Sequence, residues 1–279
     1  MKSVKIFLLV CFSFSLNNLI AQDLNVLKEK EAIVKEYFAK LALEKNDKNK
    51  EKINKDILNE FRLALKQKES FYYKFSPLKN IGIINSNDKK VRIITWNLAF
   101  SNGTHKYFGF IQYKKSKRQI RTYELFDNSE NIKNPEYAIL GNANWYGALY
   151  YRIIVNKYKG KTYYTLLGAD LNDLFTHKKI VEILHFDKKE NVVFGDKVFK
   201  NRNKALTRII FEFNAQAKMV LSYNKKMEMI VYDHLSPSDP RFVGQYEFYG
   251  PDFSYDGLKY EKGIWNTYKE IDVRNFAPH

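Results

Sequence analysis

Two hydrophobic rhythms divide the chain. From residue 22 to about 69, apolar positions recur every three or four residues. In "VLKEKEAIVKEYFAKLALE" they are Val26, Ile33, Val34, Tyr37, Phe38 and Leu41; in "INKDILNEFRLALKQKES" they are Ile53, Ile57, Phe61, Ala64 and Leu65. That spacing lays each set along one helical face. The charged run "EKNDKNKEK" separates them, so the pattern predicts an αα-hairpin whose apolar stripes cap the domain that follows. From residue 70 the period drops to two. Segments such as "VRIITWNL", "KYFGFIQY", "GALYYRIIVNKY" and "MEMIVYD" are short, β-branched and aromatic, and "SNGT", "YKGK" and "YNKK" punctuate them. Links this short join antiparallel strands, because parallel pairs need long crossovers. The expected fold is mainly β, α+β overall. It comprises a helical hairpin over 22–69 and a large antiparallel β-meander domain over 70–279, propeller-like or a sandwich.

A shift of 72 residues lays "KVRIITWNLAFSNGTHKYFGFI" on "KTYYTLLGADLNDLFTHKKIVEI", matching Thr104-His105-Lys106 to Thr176-His177-Lys178. "MEMIVYDHLSPSDPRFVGQYEFYG" repeats the shape without the shared letters. Strand–turn–strand patterns resemble one another by chance, and that is the preferred reading; a repeated strand–loop–strand unit is the alternative.

The first residues follow a different pattern. Lys2 and Lys5 precede the apolar run Ile6–Leu16, and Ala21 offers a small residue before a cut. This order reads as a signal peptide over residues 1–21, so the chain is expected to be exported to the periplasm, the outer surface or the medium. The run is too short for a membrane span, which needs about 20 apolar residues. No later segment is apolar and long enough either. Cys11 is the only cysteine, and bulky Val10 before it argues against lipidation. A mature chain without cysteine has no disulfide, thiolate zinc site or cysteine nucleophile.

Charge changes the picture less than its size suggests. The net charge is +16, carried by 38 lysines and only 9 arginines. Lysine supplies diffuse charge, whereas specific phosphate or base recognition favours the arginine fork. Anionic envelope polymers or polysaccharide are the expected partners, without specific nucleic-acid recognition.

Familiar catalytic signatures are missing: there is no G-x-S-x-G, H-E-x-x-H or G-x-G-x-x-G. "GKT" at Gly160–Thr162 lacks the P-loop's earlier glycine and reads as a hairpin turn. His105, His177, His185, His234 and His279 are scattered, and His185 reads as a packed histidine. The most unusual stretch is "YGPDFSYDGLKYEKGIW". Asp252, Ser254, Asp256 and Gly257 match the start of a calcium loop, with Glu261 as the nearest later acid. Position 12 is Gly263 rather than Glu, and helices do not flank the stretch, so an EF-hand is excluded. The preferred reading is two adjacent turns, at Gly-Pro-Asp and Asp-Gly; a looser calcium site of Asp252, Ser254, Asp256 and Glu261 is the alternative. Asp233 and His234, in "VYDHLSPSDPRF", complete the candidate catalytic set Asp233, His234, Asp252 and Asp256. Glu247, with Asp252 and Asp256, is a candidate glycosidase carboxylate. Trp96, Trp145, Tyr146, Tyr150, Tyr151 and Trp265 are expected to pack in the core, with sugar stacking as the functional alternative.

The segments "WYGALYY", "YTLLGAD", "MIVYDHLSP", "YGPDFSYDGL", "GIW" and "DVRN" together resemble a family of secreted, β-rich bacterial proteins with no assigned activity. The resemblance implies export and a β-rich body; it implies no cofactor or catalytic residue. The expected role is a non-enzymatic binding or structural module of the cell envelope. The alternatives are a hydrolase acting on carbohydrate or another envelope polymer, and a polyanion-binding envelope factor.

Overall fold

A computed structural model describes the backbone of residues 2–116, 119–201 and 204–273; for residues 2–21, 201 and 204 it describes the backbone alone. The side chains of the expected signal peptide, and His279, lie outside the described residues. The chain falls into two compact units: residues 1–81 with 115–122, and residues 82–114 with 123–279.

The first unit is built on α1 (Lys2–Leu43) and α2 (Asp47–Ala64), followed by a 3-10 turn at Lys68–Phe71. The Asn46 side chain accepts from the Asn49 amide and caps α2, which satisfies one of the free N–H groups of its first turn. On α2, Ile57, Leu58, Phe61 and Ala64 are buried; on α1, Leu27, Glu31, Val34 and Phe38 are buried. Both sets follow helical spacing, and an ion pair from Lys30 to Glu60 (3.1 Å) joins the helices. Among the described residues no helix is long and apolar enough to cross a membrane.

The second unit holds almost all the strands, in three sheets. The first contains β1 (Gly82–Asn85), β2 (Val91–Ala99), β3 (His105–Ser116) and β4 (Gln119–Phe126) in simple sequence order. The middle sheet has the order β5–β9–β8–β7–β6. Its strands are β5 (Leu140–Gly141), β6 (Leu149–Tyr158), β7 (Lys161–Asp170), β8 (Thr176–Phe186) and β9 (Val192–Phe194). The third sheet takes β10 (Phe199–Asn201), β11 (Lys204–Leu206), β13 (Leu221–Asn224), β14 (Met229–Pro237), β15 (Tyr249–Glu261) and β16 (Ile264–Tyr268), while β12 (Arg208–Asn214) pairs with β8. Nearly every pairing is antiparallel, as the short turns require; β10 with β16 is parallel.

Alternation along the middle sheet explains how the sheets stack. On β7, Tyr164 and Leu166 enter one core with Val91, Ile93 and Ile111 of the first sheet. Tyr163 and Leu167 point the other way, into a core with Ile230, Leu258 and Trp265 of the third. Successive side chains of a strand point to opposite faces, so a strand buried on both faces reads as a continuous apolar run, as "YYTLLGA" does. The three sheets are thus layered face to face. The "GKT" segment is the β6–β7 hairpin turn, with Lys159 and Gly160 both at positive φ. All three tryptophans are fully buried.

The 72-residue shift survives in the pairing. Leu98 faces Lys106 in β2–β3, and Asp170 faces Lys178 in β7–β8; moving the first pair by 72 gives the second. The third segment differs: it holds β14 and only Tyr249 and Gly250 of β15, and residues 240–248 between them are turns and 3-10 structure where a strand was expected. The first two segments are hairpins in their own sheets.

Candidate functional site

The stretch Tyr249–Glu261 is one long strand, β15, where two turns were expected. Gly257 is not at positive φ. Its value is close approach: a Cβ there would meet Met229 Cε at 2.6 Å and Ile271 Cδ1 at 3.0 Å. Pro251 is tolerated because β16 pairs only with residues 257–261 of β15. The Pro251 end therefore has β14 on one side alone, an edge position of the kind to which proline is confined within sheets.

The irregularity lies at residues 252–254. Asp233 pairs with Tyr255 and Leu235 with Pro251, so His234 alone faces Asp252, Phe253 and Ser254. Such bulges re-aim side chains. Asp252 Oδ1 accepts from the Ser254 amide (3.1 Å) and from the Ser254 hydroxyl (2.7 Å). This is an Asx turn, in which a carboxylate binds backbone two residues on, and it accounts for the D-x-S spacing. Phe253, inside that turn, has φ +69° and is 93 % exposed. A bulky residue in the left-handed region carries strain.

The bulge gathers three of the four candidate catalytic residues. His234 Nδ1 lies 2.9 Å from Asp256 Oδ2, and its Nε2 lies 4.0 Å from Asp252 Oδ2. Asp256 is buried, and its other oxygen accepts from the Glu270 amide (3.0 Å). Burial pushes the Asp252 carboxyl up, but the Ser254 hydroxyl and amide and the His234 charge outweigh it and hold it below its ordinary value. Asp233 points elsewhere: its Oδ2 accepts from the Val220 amide (2.7 Å). Burial raises its pKa, that amide opposes, and the charge of Asp252 adds to the rise.

The remaining candidates are dispersed. Glu261 sits at the far end of β15, where it pairs with Ile264 and accepts from the Tyr268 hydroxyl and the Asn266 amide. At about 3.3 Å per residue, nine residues along a strand separate it from Asp252 by roughly 30 Å. Asp252, Ser254, Asp256 and Glu261 therefore do not form one ligand set. Among the described residues no group of three or more His, Cys, Asp or Glu side chains is arranged to hold a metal ion. Glu247 lies in a short 3-10 turn, Tyr246–Phe248, whose Glu247 carbonyl accepts from Asn214. Trp145, Tyr146 and Tyr150 are buried, while Tyr151 is partly exposed and donates to the Leu221 carbonyl. His185 is partly buried, edge-on to Tyr163, with its pKa lowered by burial.

Two residues escaped the sequence reading. Phe253 was one aromatic among many, and nothing local marks it as exposed. Glu31 had a visible signal: it lies four residues after Leu27 and three before Val34, an acid inside the apolar stripe. No protein-family model, no curated protein and no solved structure matches this chain.

Proposed function

We propose that the protein is exported by its N-terminal signal and serves as a non-enzymatic binding module of the cell envelope. Its ligand is an envelope polysaccharide, held at the β14–β15 bulge. The observation that carries this reading is Phe253, an aromatic ring held 93 % exposed at φ +69° by its neighbours' hydrogen bonds. A ring kept in water at a conformational cost suits stacking on a sugar face. Asp252 and Ser254 flank it in the chain, and His234 faces the same residues from β14, so acceptors and donors for hydroxyl groups lie on the same bulge. The lysine-rich charge adds long-range attraction to acidic polymers.

The hydrolase reading is less favoured. Glycosidase carboxylates flank a bond across a cleft, whereas Asp252 and Asp256 flank one imidazole. Ser254 donates to Asp252; an activated serine would instead be bonded to the histidine.

The test is binding to purified envelope polysaccharides in affinity electrophoresis, at low and at 0.5 M salt, order-of-magnitude conditions that screen surface charge. Phe253→Ala removes an exposed ring, should leave the melting temperature within a degree or two, and should weaken binding at least about fivefold. Binding that ignores Phe253 and collapses with salt would replace this reading with a polyanion binder. Release of reducing sugar that disappears in Asp256→Asn would replace it with a hydrolase.

A further inference from the structure

The β-unit carries its charge unevenly. The tip of the β6–β7 hairpin holds Lys157, Lys159 and Lys161. β7 is antiparallel to β8, so the turn after β8, with Lys188 and Lys189, lies at the same end. The β1–β2 turn joins it: the Tyr164 hydroxyl donates to Asp88 (3.0 Å), next to Lys89 and Lys90. So does the β15–β16 turn with Lys262, where a Cβ on Gly263 would meet the Tyr158 ring at 2.4 Å. Met229 pairs with Lys259, which sets the β13–β14 turn, with Lys225 and Lys226, beside that one. Residues 86–90, 157–161, 187–191, 224–228 and 261–263 thus share one end, with ten lysines and five acids. All ten lysines are exposed, and among the described residues none of them makes an ion pair. Asp88 and Asp187 instead hold their own turns together, through the Ser86 hydroxyl and through the Lys189 amide and Asn191. The other end has the reverse balance. Its loops, residues 99–105, 170–176, 214–220 and 238–248, hold four acids and two bases. They meet where Leu174 packs on Gly103, where the Ala215 amide donates to the Phe175 carbonyl, and where Asn214 donates to the Glu247 carbonyl.

We propose that the lysine-bearing end of the β-unit docks on a bilayer surface rich in anionic lipid headgroups. The form of this end selects the partner. Three sheets stacked about 10 Å apart make it roughly 20 Å across. Its charges sit on separate turn tips, a broad array rather than the ring-lined groove that tracks a single nucleic-acid strand. All ten cations are lysine, a compact charge without arginine's fork for phosphate or base groups in a fixed geometry. Headgroups that diffuse in a bilayer rearrange beneath such points. Each lysine brought to an anionic surface raises binding on the order of fivefold, and several act together because one folded unit carries them. Docking at this end leaves the opposite loops, and the β14–β15 bulge nearer to them, facing solvent. The proposal does not depend on the polysaccharide reading.

The experiment is co-sedimentation of the full chain with vesicles of phosphatidylcholine containing roughly one third phosphatidylglycerol, against pure phosphatidylcholine, which should bind at least about tenfold more weakly. The neutral vesicles also register any contact made by the apolar run Ile6–Leu16. Lys188→Gln with Lys225→Gln removes one charge from each of two turns at the basic end and should weaken anionic-vesicle binding at least about tenfold. Lys106→Gln with Lys218→Gln removes the same charge at the other end and should change it less than about twofold, since screening confines each charge to its own surroundings. All four lysines are exposed, so both variants should melt within a degree or two of the wild type. Equal losses in the two variants would mean that net charge alone attracts the protein, and would overturn the proposal. So would equal binding to neutral vesicles. Binding to polygalacturonate that depends on Lys188 and Lys225, with none to the vesicles, would assign the basic end to an acidic polymer and overturn it as well.

Discussion

The β-unit contains two acid–base constellations built from similar parts. In the middle sheet, Arg208 Nε donates to Glu182 (2.6 Å), Tyr150 donates to the other Glu182 oxygen, and the Trp145 indole donates to Tyr150 (2.8 Å). Arg208 also donates to the Pro135 carbonyl and stands over the Tyr146 ring. Arg208 and Glu182 have no exposed surface. At the bulge, His234 lies between Asp256 and Asp252, with 38 % of its side chain exposed. The first constellation is sealed, so it can serve only the fold. The second keeps one acid buried as an anchor and offers the other to solvent. Hydrogen bonding does not distinguish them; access does.

The sharpest way to break the comparison is to unpair the sealed site. Glu182→Leu should cost about 3–5 kcal/mol, because it leaves the Arg208 guanidinium buried without its counter-ion. Urea denaturation measures this loss. Adding Arg208→Met should recover most of it, since an apolar pair of similar volume is often as stable as a buried ion pair. A double variant no better than the single one would mean that Arg208 has a second role. At the bulge the same kind of change should cost less. Asp256→Ala leaves the Glu270 amide and a half-exposed imidazole to water, for about 1–2 kcal/mol. It should also loosen residues 270–271, read as faster amide exchange at Glu270 and at Ile271, which is bonded to Tyr255. A cost as large as that of Glu182→Leu would erase the distinction.

Much of the fold was legible beforehand; the contrast between the two sites was not, for physical reasons. The helical stripes and the strand alternation follow from burial of one face, so Phe38, Phe61 and the "YYTLLGA" strand declared themselves. The 72-residue shift was visible only as a faint likeness, yet two hairpins share its register. The layering of sheets was not, because a strand buried on both faces reads alike in a sandwich and a propeller. The D-x-S-x-D-G stretch misled because Pro251 and Gly257 are turn residues by habit. Here one sits at a half-paired strand end and the other where two side chains press on the backbone. That Asp252 and Asp256 would meet His234 depends on the bulge, which shifts the β14–β15 register at that residue. Local spacing does not encode a shift across a strand pair.

The smallest expected effect discriminates best between the two acids near the bulge. Asp252 has a folded-state pKa below its ordinary value, so its contribution is present above about pH 4, the value of a free aspartate. It is lost as pH falls through the folded-state pKa. Asp233 has the opposite shift. The folded chain takes up its proton first, so Asp233 gains stability as pH falls through its raised value. The two slopes oppose each other in the wild type. Asp252→Asn removes the first, and it also removes a charge that raises the pKa of Asp233. Denaturation midpoints from pH 6 to pH 2.5 should therefore show a wild-type advantage that is level above about pH 5 and fades below about pH 4. A transient rise as Asp233 takes up its proton fits this coupling, but an advantage still growing at the acid end, once Asp233 is protonated, would mean that Asp252 is held neutral in the folded chain. It would then be a hydrogen-bond donor rather than the exposed acceptor that polysaccharide recognition at Phe253 requires.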